Sequence, residues 1–315
     1  MSTDLSYPNV VDFAVPGFIA LILIELVWIT VKHRGGRYEA RDAVTSLMMG
    51  AGNVAAGLIF GFIAWTFFMW VWQFRLFDLG ASLGVILLAL VLDDLRYYWV
   101  HRFGHRIRWV WASHVNHHSS QHYNLTTALR QTWTGTFTLM MVVRVPLILM
   151  GIHPAILVFT FGLNLIYQFW IHTEAIGKMP RWFEAVMNTP SHHRVHHGRN
   201  PRYLDANYAG IFIIWDRMFG TFVPELEEEA VEYGLVRTLG TFNPLRAAFH
   251  EWIGIFRDIA RPGIGLKARL LYAIAPPGWS HDGSRDTSDT IKTKYLARHP
   301  EAAGTPGLEG ISPKP

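Results

Sequence analysis

Residues 44–72 have the sequence VTSLMMGAGNVAAGLIFGFIAWTFFMWVW, a stretch without a single formally charged side chain. A helix needs about 20 predominantly apolar residues to cross the hydrocarbon core of a bilayer. Trp65, Trp70 and Trp72 cluster toward one end of the stretch, as aromatic side chains do at a membrane interface. The stretch therefore predicts a tilted transmembrane helix.

Four further apolar runs predict additional spans. They cover residues 10–31, 79–100, 133–150 and 152–171. The last two runs are separated only by Gly151, which predicts a tight hairpin between them. We therefore expect an all-α integral membrane protein with about five transmembrane helices.

The order of the spans predicts which loops share a face of the membrane. One face receives residues 32–43, 101–132 and 172–315. Basic residues cluster on that face, whereas Arg75 is alone in the opposite loop 73–78, so the positive-inside rule makes the first face cytoplasmic. All the clustered histidines fall on this face. His153 falls on the other, which excludes it as a ligand of the same site.

Composition excludes several classes of function. The chain has no cysteine, which rules out disulfides, thiolate catalysis and cysteine-ligated metals. Its formal net charge of +4 comes from basic residues beside the ends of the apolar runs. Membrane topology explains these residues better than nucleic-acid binding does, and we expect no nucleic-acid partner.

Three histidine groups carry the predicted chemistry. They are His101-Arg-Phe-Gly-His105, His114-Val-Asn-His117-His118 and His193-Arg-Val-His196-His197. Residues four apart on a helix project from one face, one turn apart, and can bind the same metal ion. In each H-x-x-H-H triplet the remaining histidine is turned by about 100°, so that one segment can serve two adjacent ions. We predict these eight histidines to be ligands of a dimetal centre.

Three more residues near these groups are candidates. His172, at the cytoplasmic end of the fifth predicted span, is a predicted ninth ligand. Asp94 precedes His101 by seven residues on nearly the same helical face, so we assign it a catalytic role in orienting a ligand or relaying protons; it could instead face water or pair with Arg96. Glu174 is predicted either to bind a metal ion through its carboxylate or to accept a hydrogen bond from a ligand. The alternative is that it is an exposed acid at the end of a helix.

The ligand type leaves the metal open, since imidazole suits iron, zinc, copper and nickel. A zinc pair would activate water for hydrolysis, whereas an iron pair would activate O2. Ligands located where apolar spans meet the cytosol favour oxidation of a carbon in a lipid. A membrane metal-binding or metal-transport protein is the alternative, and it predicts acids and histidines along a path near mid-bilayer. A catalytically inactive scaffold would show gaps in the ligand set.

The residues around the histidines resemble the fatty acid hydroxylase and sterol desaturase superfamily, and within it the alkylglycerol monooxygenase branch. The resemblance is carried by His117-His118-Ser119-Ser120, Thr127-Ala128-Leu129-Arg130-Gln131, Asn188-Thr189-Pro190-Ser191-His192-His193 and Phe219-Gly220-Thr221-Phe222. It implies two iron ions, with zinc an alternative occupant, held by the eight histidines, and His172 and Glu174 also needed. It further implies O2 as oxidant and tetrahydrobiopterin or an electron-transfer protein as reductant. The implied substrate is a membrane lipid, either an ether lipid, a fatty acyl chain or a sterol, which is hydroxylated or desaturated.

These patterns divide the chain into four parts. We expect an anchor span and loop at 1–43, a membrane-embedded catalytic domain at 44–222, a cytoplasmic segment at 223–280 and a disordered tail at 281–315. Apolar residues at helical spacing within 243–260 predict an amphipathic helix. That helix either lies on the membrane or packs on the catalytic domain.

Overall fold

The structure is a computed structural model that describes residues 5, 7–33 and 35–311. Its α-helices are α1 (Val10–Lys32), α2 (Ala40–Trp72), α3 (Leu83–Arg106), α4 (Arg108–His114), α5 (Val145–Leu149), α6 (Pro154–Trp170), α7 (Arg181–Glu184), α8 (Pro190–His196), α9 (Ile214–Met218), α10 (Pro244–Ile259), α11 (Leu266–Ile274) and α12 (Ser288–Arg298). Short 3-10 turns connect several of them. Within the described ranges there are two isolated β-bridges and no extended strand, so the all-α prediction is confirmed.

Helices α1 and α2 are long and apolar enough to cross a membrane. Only 11% of the most apolar window of each helix is buried, so most of its side chains point away from the protein. Leu58 and Phe62 of α2, for example, are 81% and 74% exposed. The core helix of a soluble protein would bury these side chains, whereas a lipid-facing helix exposes them. Both helices therefore suggest a membrane protein.

Helices α3 and α6 cover the third and fifth predicted spans and pack against each other. α3 carries Asp93 and Arg96, which form a buried ion pair with Nε and Oδ1 2.5 Å apart. α6 has 17 residues and is therefore about 25 Å long. Of the five predicted spans, those at α1 and α2 are helices with the length and composition of a membrane span. The third and fifth are the helices α3 and α6, which pack against each other.

The fourth predicted span, residues 133–150, is not a continuous helix. It consists of two 3-10 turns, Gly135–Thr138 and Met140–Arg144, followed by the short α5. Leu139 joins the two turns with a φ of +59°, a left-handed conformation that an α-helix does not contain. Hydropathy alone could not detect this break, because the apolar residues continue through it.

The turn at Gly151 lies at the end of the bundle opposite the histidines. The amide of Leu76 donates to the carbonyl of Leu149 over 2.7 Å, so the 73–78 loop and this turn meet, as the predicted order of spans requires. Gly151 has a φ of +95°, and a side chain there would collide with the carbonyl of Phe77. Phe68, Ile148 and Ile156 belong to the apolar cluster beside this turn.

The predicted tail, 281–315, is folded in its described part, contrary to the expected disorder. α12 packs Leu296 against Ala302 and Leu308 in a small apolar cluster. Arg202, in the 3-10 turn Pro201–Tyr203, donates to the carbonyl of Pro306 over 3.0 Å, which fastens the segment to the rest of the protein. The polar composition suggested disorder, but a few well-spaced apolar residues and these contacts suffice to order the chain. Residues 312–315 lie outside the described residues.

Candidate metal centre

Four segments bring the nine predicted histidines together. α3 supplies His101 and His105 in its last two turns, and α4 together with the following turn supplies the first triplet. His172 follows α6 directly. α8 and its C-cap residue supply the second triplet. The side chain of Thr189 caps α8, and Pro190 occupies its first turn, where a missing N–H costs nothing, so the helix begins just before its histidines.

The nine side chains form two groups. The first group consists of His101, His105, His114, His118 and His196, and the second of His117, His172, His193 and His197. Within each group the candidate ligand atoms lie within 4.8 Å of one another. Each triplet is divided between the two groups, which is the arrangement that its spacing predicts. The assignment of the nine side chains as ligands stays a prediction.

Ring nitrogens within each group converge closely. In the first group, His114 Nε2 lies 2.9 Å from Nε2 of His101 and 3.0 Å from Nε2 of His118. In the second group, His172 Nε2 lies 3.2 Å from Nε2 of His117 and 3.0 Å from Nε2 of His193. Two nitrogens at right angles on one ion, each about 2.1 Å from it, would be about 3 Å apart. The donor set therefore fits two metal ions.

Several buried nitrogens of the cluster also lack a hydrogen-bond partner. They are Nδ1 of His193 and the three Nε2 atoms of His105, His196 and His197. A buried polar atom without a partner is unfavourable unless something else satisfies it. A metal ion in each group would satisfy the three Nε2 atoms.

The opposite ring nitrogen is held by a backbone carbonyl in four of the histidines. Nδ1 lies 2.8 Å from Tyr208 O in His101, 2.9 Å from Ala206 O in His196, 2.7 Å from Gln168 O in His172 and 3.3 Å from Arg130 O in His117. A carbonyl only accepts, so each Nδ1 carries the proton. The lone pair of each Nε2 is thereby directed into the cluster, as a metal ligand requires.

Burial keeps these imidazoles neutral. Burial, and then the neighbouring histidines, lower the pKa well below the usual 6.5 for His114, His117, His118, His193, His196 and His197. Burial lowers the pKa of His172 to about 4. A neutral imidazole is the form that binds metal, so the cluster is ready to bind at neutral pH.

Asp94 is buried and holds a backbone segment rather than touching the clustered histidines. It accepts hydrogen bonds from the amides of Ile211 (2.8 Å) and Phe212 (3.0 Å), from Trp215 Nε1 (2.9 Å) and from Asn164 Nδ2 (2.6 Å). The segment it holds directly follows Tyr208, whose carbonyl receives the proton of His101. The geometry therefore supports a role for Asp94 in orienting a ligand, which it performs indirectly by holding this backbone segment. With all four donors in place, the carboxylate has no contact through which to relay a proton to the cluster.

Glu174 belongs to neither histidine group. Its Oε1 accepts a hydrogen bond from the hydroxyl of Tyr233 over 3.1 Å. Tyr233 stacks on Tyr123 with ring centroids 5.0 Å apart, and Tyr123 in turn lies 5.0 Å from the ring of His197. Glu174 thus reaches the second group through two tyrosines, which favours a hydrogen-bonding role over ligation.

Asp216 follows the second triplet in the sequence, and spacing alone predicts no specific role for it. Its carboxylate accepts from the amides of Tyr208 and Ala209, each over 2.8 Å. Burial raises the pKa of this carboxyl to about 6. Together with Asp94 it fixes both ends of the segment that orients His101.

Asp42 and Arg130 were also missed, and they hold the first triplet from the other side. Their side chains form a buried ion pair. Asp42 also accepts from Ser120 Oγ and from the amide of Gln121, just after the triplet. No spacing rule could connect Asp42, in α2, with a loop almost eighty residues later.

Three further histidines have other partners. Nδ1 of His122 lies 3.2 Å from Asp42 Oδ2, and His192 Nε2 lies 3.9 Å from Glu184 Oε2. His153 caps α6 by accepting from the amide of Ala155. None of the three is in either histidine group.

A cavity of about 500 Å³ opens beside the cluster. His105, His118, His196 and His197 line its inner end, and Trp111 lies next to them. Its outer wall combines residues 234–237, His250 and Glu251 of α10, and parts of 277–291. A small molecule can therefore approach both histidine groups from this side.

The low pKa values of the histidines predict acid sensitivity in the metal-free protein. The unfolded chain takes up protons below about pH 6.5, whereas in the folded chain burial lowers the pKa of His172 to about 4 and holds those of His114 and the other five well below their usual value. The free energy of unfolding should therefore fall as the pH is lowered through this interval. Thermal unfolding of metal-free protein in detergent at about pH 7.5 and about pH 5 measures this. An unchanged midpoint would contradict the burial of neutral imidazoles.

A second prediction concerns Asp94. In Asp94→Asn an amide N–H faces donors that need an acceptor, so the segment after Tyr208 should shift and release Nδ1 of His101. We expect metal affinity to fall about 10- to 100-fold, measured by competition with a chelator. Trp215→Phe removes one donor and should have a smaller effect, and Glu228→Gln, at an exposed position, should have none. Equal affinity in all three variants would refute the positioning role.

Comparison with known proteins places this arrangement in context. Residues 86–221 match the fatty acid hydroxylase family model. The chain is 42% identical over 285 residues to alkylglycerol monooxygenase of Homo sapiens, covering 86% of this chain and 60% of that protein. It is 44% identical over 276 residues to alkylglycerol monooxygenase of Danio rerio, covering 87% and 60%. An ornithine lipid hydroxylase of Rhizobium tropici is 24% identical over 137 residues, 44% of this chain and 41% of the hydroxylase.

The chain thus spans about 60% of the length of the monooxygenases it matches. No solved structure gives a significant match.

Proposed function

Residues 86–221 form a domain of the fatty acid hydroxylase family, and we propose that this chain is a multi-pass membrane oxygenase that uses O2 to hydroxylate a C–H bond of a lipid. The observation that carries the proposal is the pair of adjacent histidine groups at one end of an apolar helical bundle. The relatives named for lipid hydroxylation and monooxygenation support the same class of reaction.

We propose that each histidine group holds one iron ion, with zinc able to replace iron in purified protein. Five and four imidazole nitrogens are available, and such all-nitrogen sets suit several transition metals. Two bound irons would supply reductive activation of O2, which zinc cannot perform because it has no redox chemistry. The proposed oxidation of a lipid carbon by O2 therefore favours iron over zinc.

The chain's own residues prepare the site. Backbone carbonyls fix the tautomers of His101, His117, His172 and His196, as described above. Asp216 binds the amide of Tyr208, and Arg130 forms a buried ion pair with Asp42, so the carbonyls that hold His101 and His117 are themselves restrained. This rigidity positions the reaction centre before the substrate arrives.

The cavity supplies the route to the site, and its mixed lining suits a lipid with a polar head. Trp111, Val115 and Leu204 contribute apolar surface, whereas Arg199 and Glu251 contribute charges. Among lipid classes we favour glycerol ether lipids, because the relatives that match most of the chain are named alkylglycerol monooxygenases. The electrons come from outside the two histidine groups, from tetrahydrobiopterin or an electron-transfer protein. We propose a cytoplasmic location for this end of the bundle on the strength of its basic loops.

The alternative of a metal transporter finds less support. Transport predicts ligands along a path through the bilayer. The two histidine groups instead lie side by side, with neighbouring residues such as His117 and His118 in different groups. Such a compact pair of sites suits a reaction in which two ions act together.

Turnover of defined lipids tests the proposal. Iron-loaded protein in nanodiscs is given an alkylglycerol, a fatty acid or a sterol, with 18O-labelled O2 and reduced tetrahydrobiopterin. We expect labelled oxygen in the ether-lipid product, and we expect His117→Ala and His196→Ala, one from each group, to abolish it. His299→Ala, at an exposed position in the C-terminal segment, is the control and should retain turnover.

Two outcomes would contradict the proposal. Full turnover in either histidine variant would sink the site assignment. Absence of product from every lipid, with both metal sites filled and either reductant supplied, would sink the oxygenase function.

A further inference from the structure

An exposed apolar stripe runs along α10. Leu245, Ile253 and Phe256 are 60%, 54% and 57% exposed. At 100° per residue these three positions fall within an arc of about 80°. They are too close together to be scattered surface residues, so the stripe needs an occupant.

The neighbouring face of α10 is already occupied by the catalytic domain. Ala247 and Ala248 pack on Met49 of α2, and Trp252 and Ile255 pack on Ala112 of α4. The packing therefore confirms that α10 is amphipathic and docked on the protein. It also shows that the exposed stripe is additional to the docked face.

Helix α11 repeats the pattern. Leu266, Leu270 and Ile274 are 73%, 57% and 58% exposed, and their spacing of four residues places them on one face. α11 packs against α10. Two adjoining helices thus each present an apolar stripe away from the protein.

Basic residues border both stripes. Arg246 and Arg257 of α10 are exposed and lie next to its stripe by helical angle, and Lys267 borders that of α11 in the same sense. A helix with an apolar stripe and flanking cations is typical of elements that lie in the interface of an anionic membrane. A partner protein would not require cations beside both stripes.

The position of α10 along α2 agrees with such a location. α2 has 33 residues and is about 50 Å long, whereas the hydrocarbon core is about 30 Å thick. Part of α2 must therefore extend beyond the core. α10 packs on Met49, which lies among the first ten residues of α2. Thr45 Oγ1 of α2 also donates to the carbonyl of Phe242, just before α10 begins, over 2.6 Å.

We propose that α10 and α11 form an in-plane membrane-docking element that binds the acidic phospholipids of the leaflet nearest the histidines. The inference rests on the proposed function only in placing α1 and α2 in a bilayer. The apolar stripes enter the interface, and Arg246, Arg257 and Lys267 contact lipid phosphates. Since His250 and Glu251 of α10 line the cavity, docking brings the cavity mouth to the lipid surface.

The absence of cysteine allows a direct test of depth in the full-length chain. Single cysteines at Ile253, Phe256 or Leu270 carry a nitroxide, and collision with O2 and with a water-soluble nickel chelate is measured in nanodiscs. We expect all three labels to lie about 5–10 Å below the headgroups. Labels at Leu58 and Glu228 give the lipid and water references.

Two outcomes would overturn the inference. Water-like collision rates for the labels at 253, 256 and 270, with a lipid-like rate at Leu58, would show that α10 and α11 are free of the membrane. That result would leave the proposed oxygenase function untouched. Dipolar coupling between labels on two chains, without lipid-like values, would assign the stripes to a second copy of the chain.

The charges have a separate test. We expect the Phe256 label to move deeper when phosphatidylglycerol is added to phosphatidylcholine nanodiscs, because each cation near an acidic surface strengthens attachment about fivefold. Combined Arg246→Gln, Arg257→Gln and Lys267→Gln should remove this dependence. Arg298→Gln, at an exposed position on α12, is the matched control and should retain it. If the Phe256 label still moves deeper with phosphatidylglycerol in the triple variant, these cations do not recognise acidic lipid.

Discussion

Crowding of nine imidazoles is the constraint on which the rest of this structure depends. Their nitrogens converge to about 3 Å with several lone pairs directed at one another, an arrangement that is unfavourable unless cations occupy the centre. The chain must therefore hold the rings in place before a metal ion binds. Four backbone carbonyls do so: those of Arg130, Ala206 and Tyr208 belong to irregular backbone, and that of Gln168 belongs to the end of α6.

Buried acids supply the stiffness that these irregular stretches lack. Asp216 binds the amides of Tyr208 and Ala209, Asp94 binds those of Ile211 and Phe212, and Asp42 binds the loop after the first triplet. Glu25, the one acid in the middle of α1, accepts from the amide of Leu125 and from Thr173, next to His172. Helices α1, α2 and α3 thus contribute acceptors to the site as well as apolar surface. A buried carboxylate that accepts several amide hydrogen bonds is well compensated, which explains why acids occur in these helices.

The sequence indicated the histidine cluster because helical spacing is local. Histidines at i, i+3 and i+4 share a face whatever the tertiary structure, so the pair and the triplets could be assigned to shared sites from spacing alone. Asp42, Asp216 and Arg130 act across long separations along the chain, which one sequence does not reveal. The broken fourth span and the ordered C-terminal segment escaped prediction for a related reason. Average hydropathy does not register the left-handed Leu139, or the contact between Arg202 and Pro306 that orders residues around α12.

The central claim is that the two histidine groups hold two iron ions that act together. Metal analysis of detergent-purified protein grown on iron-57, combined with Mössbauer spectroscopy, tests it most directly. The account predicts two irons per chain and the spectrum of a magnetically coupled diferric pair. One iron per chain, or two zinc ions that iron cannot replace, would contradict it.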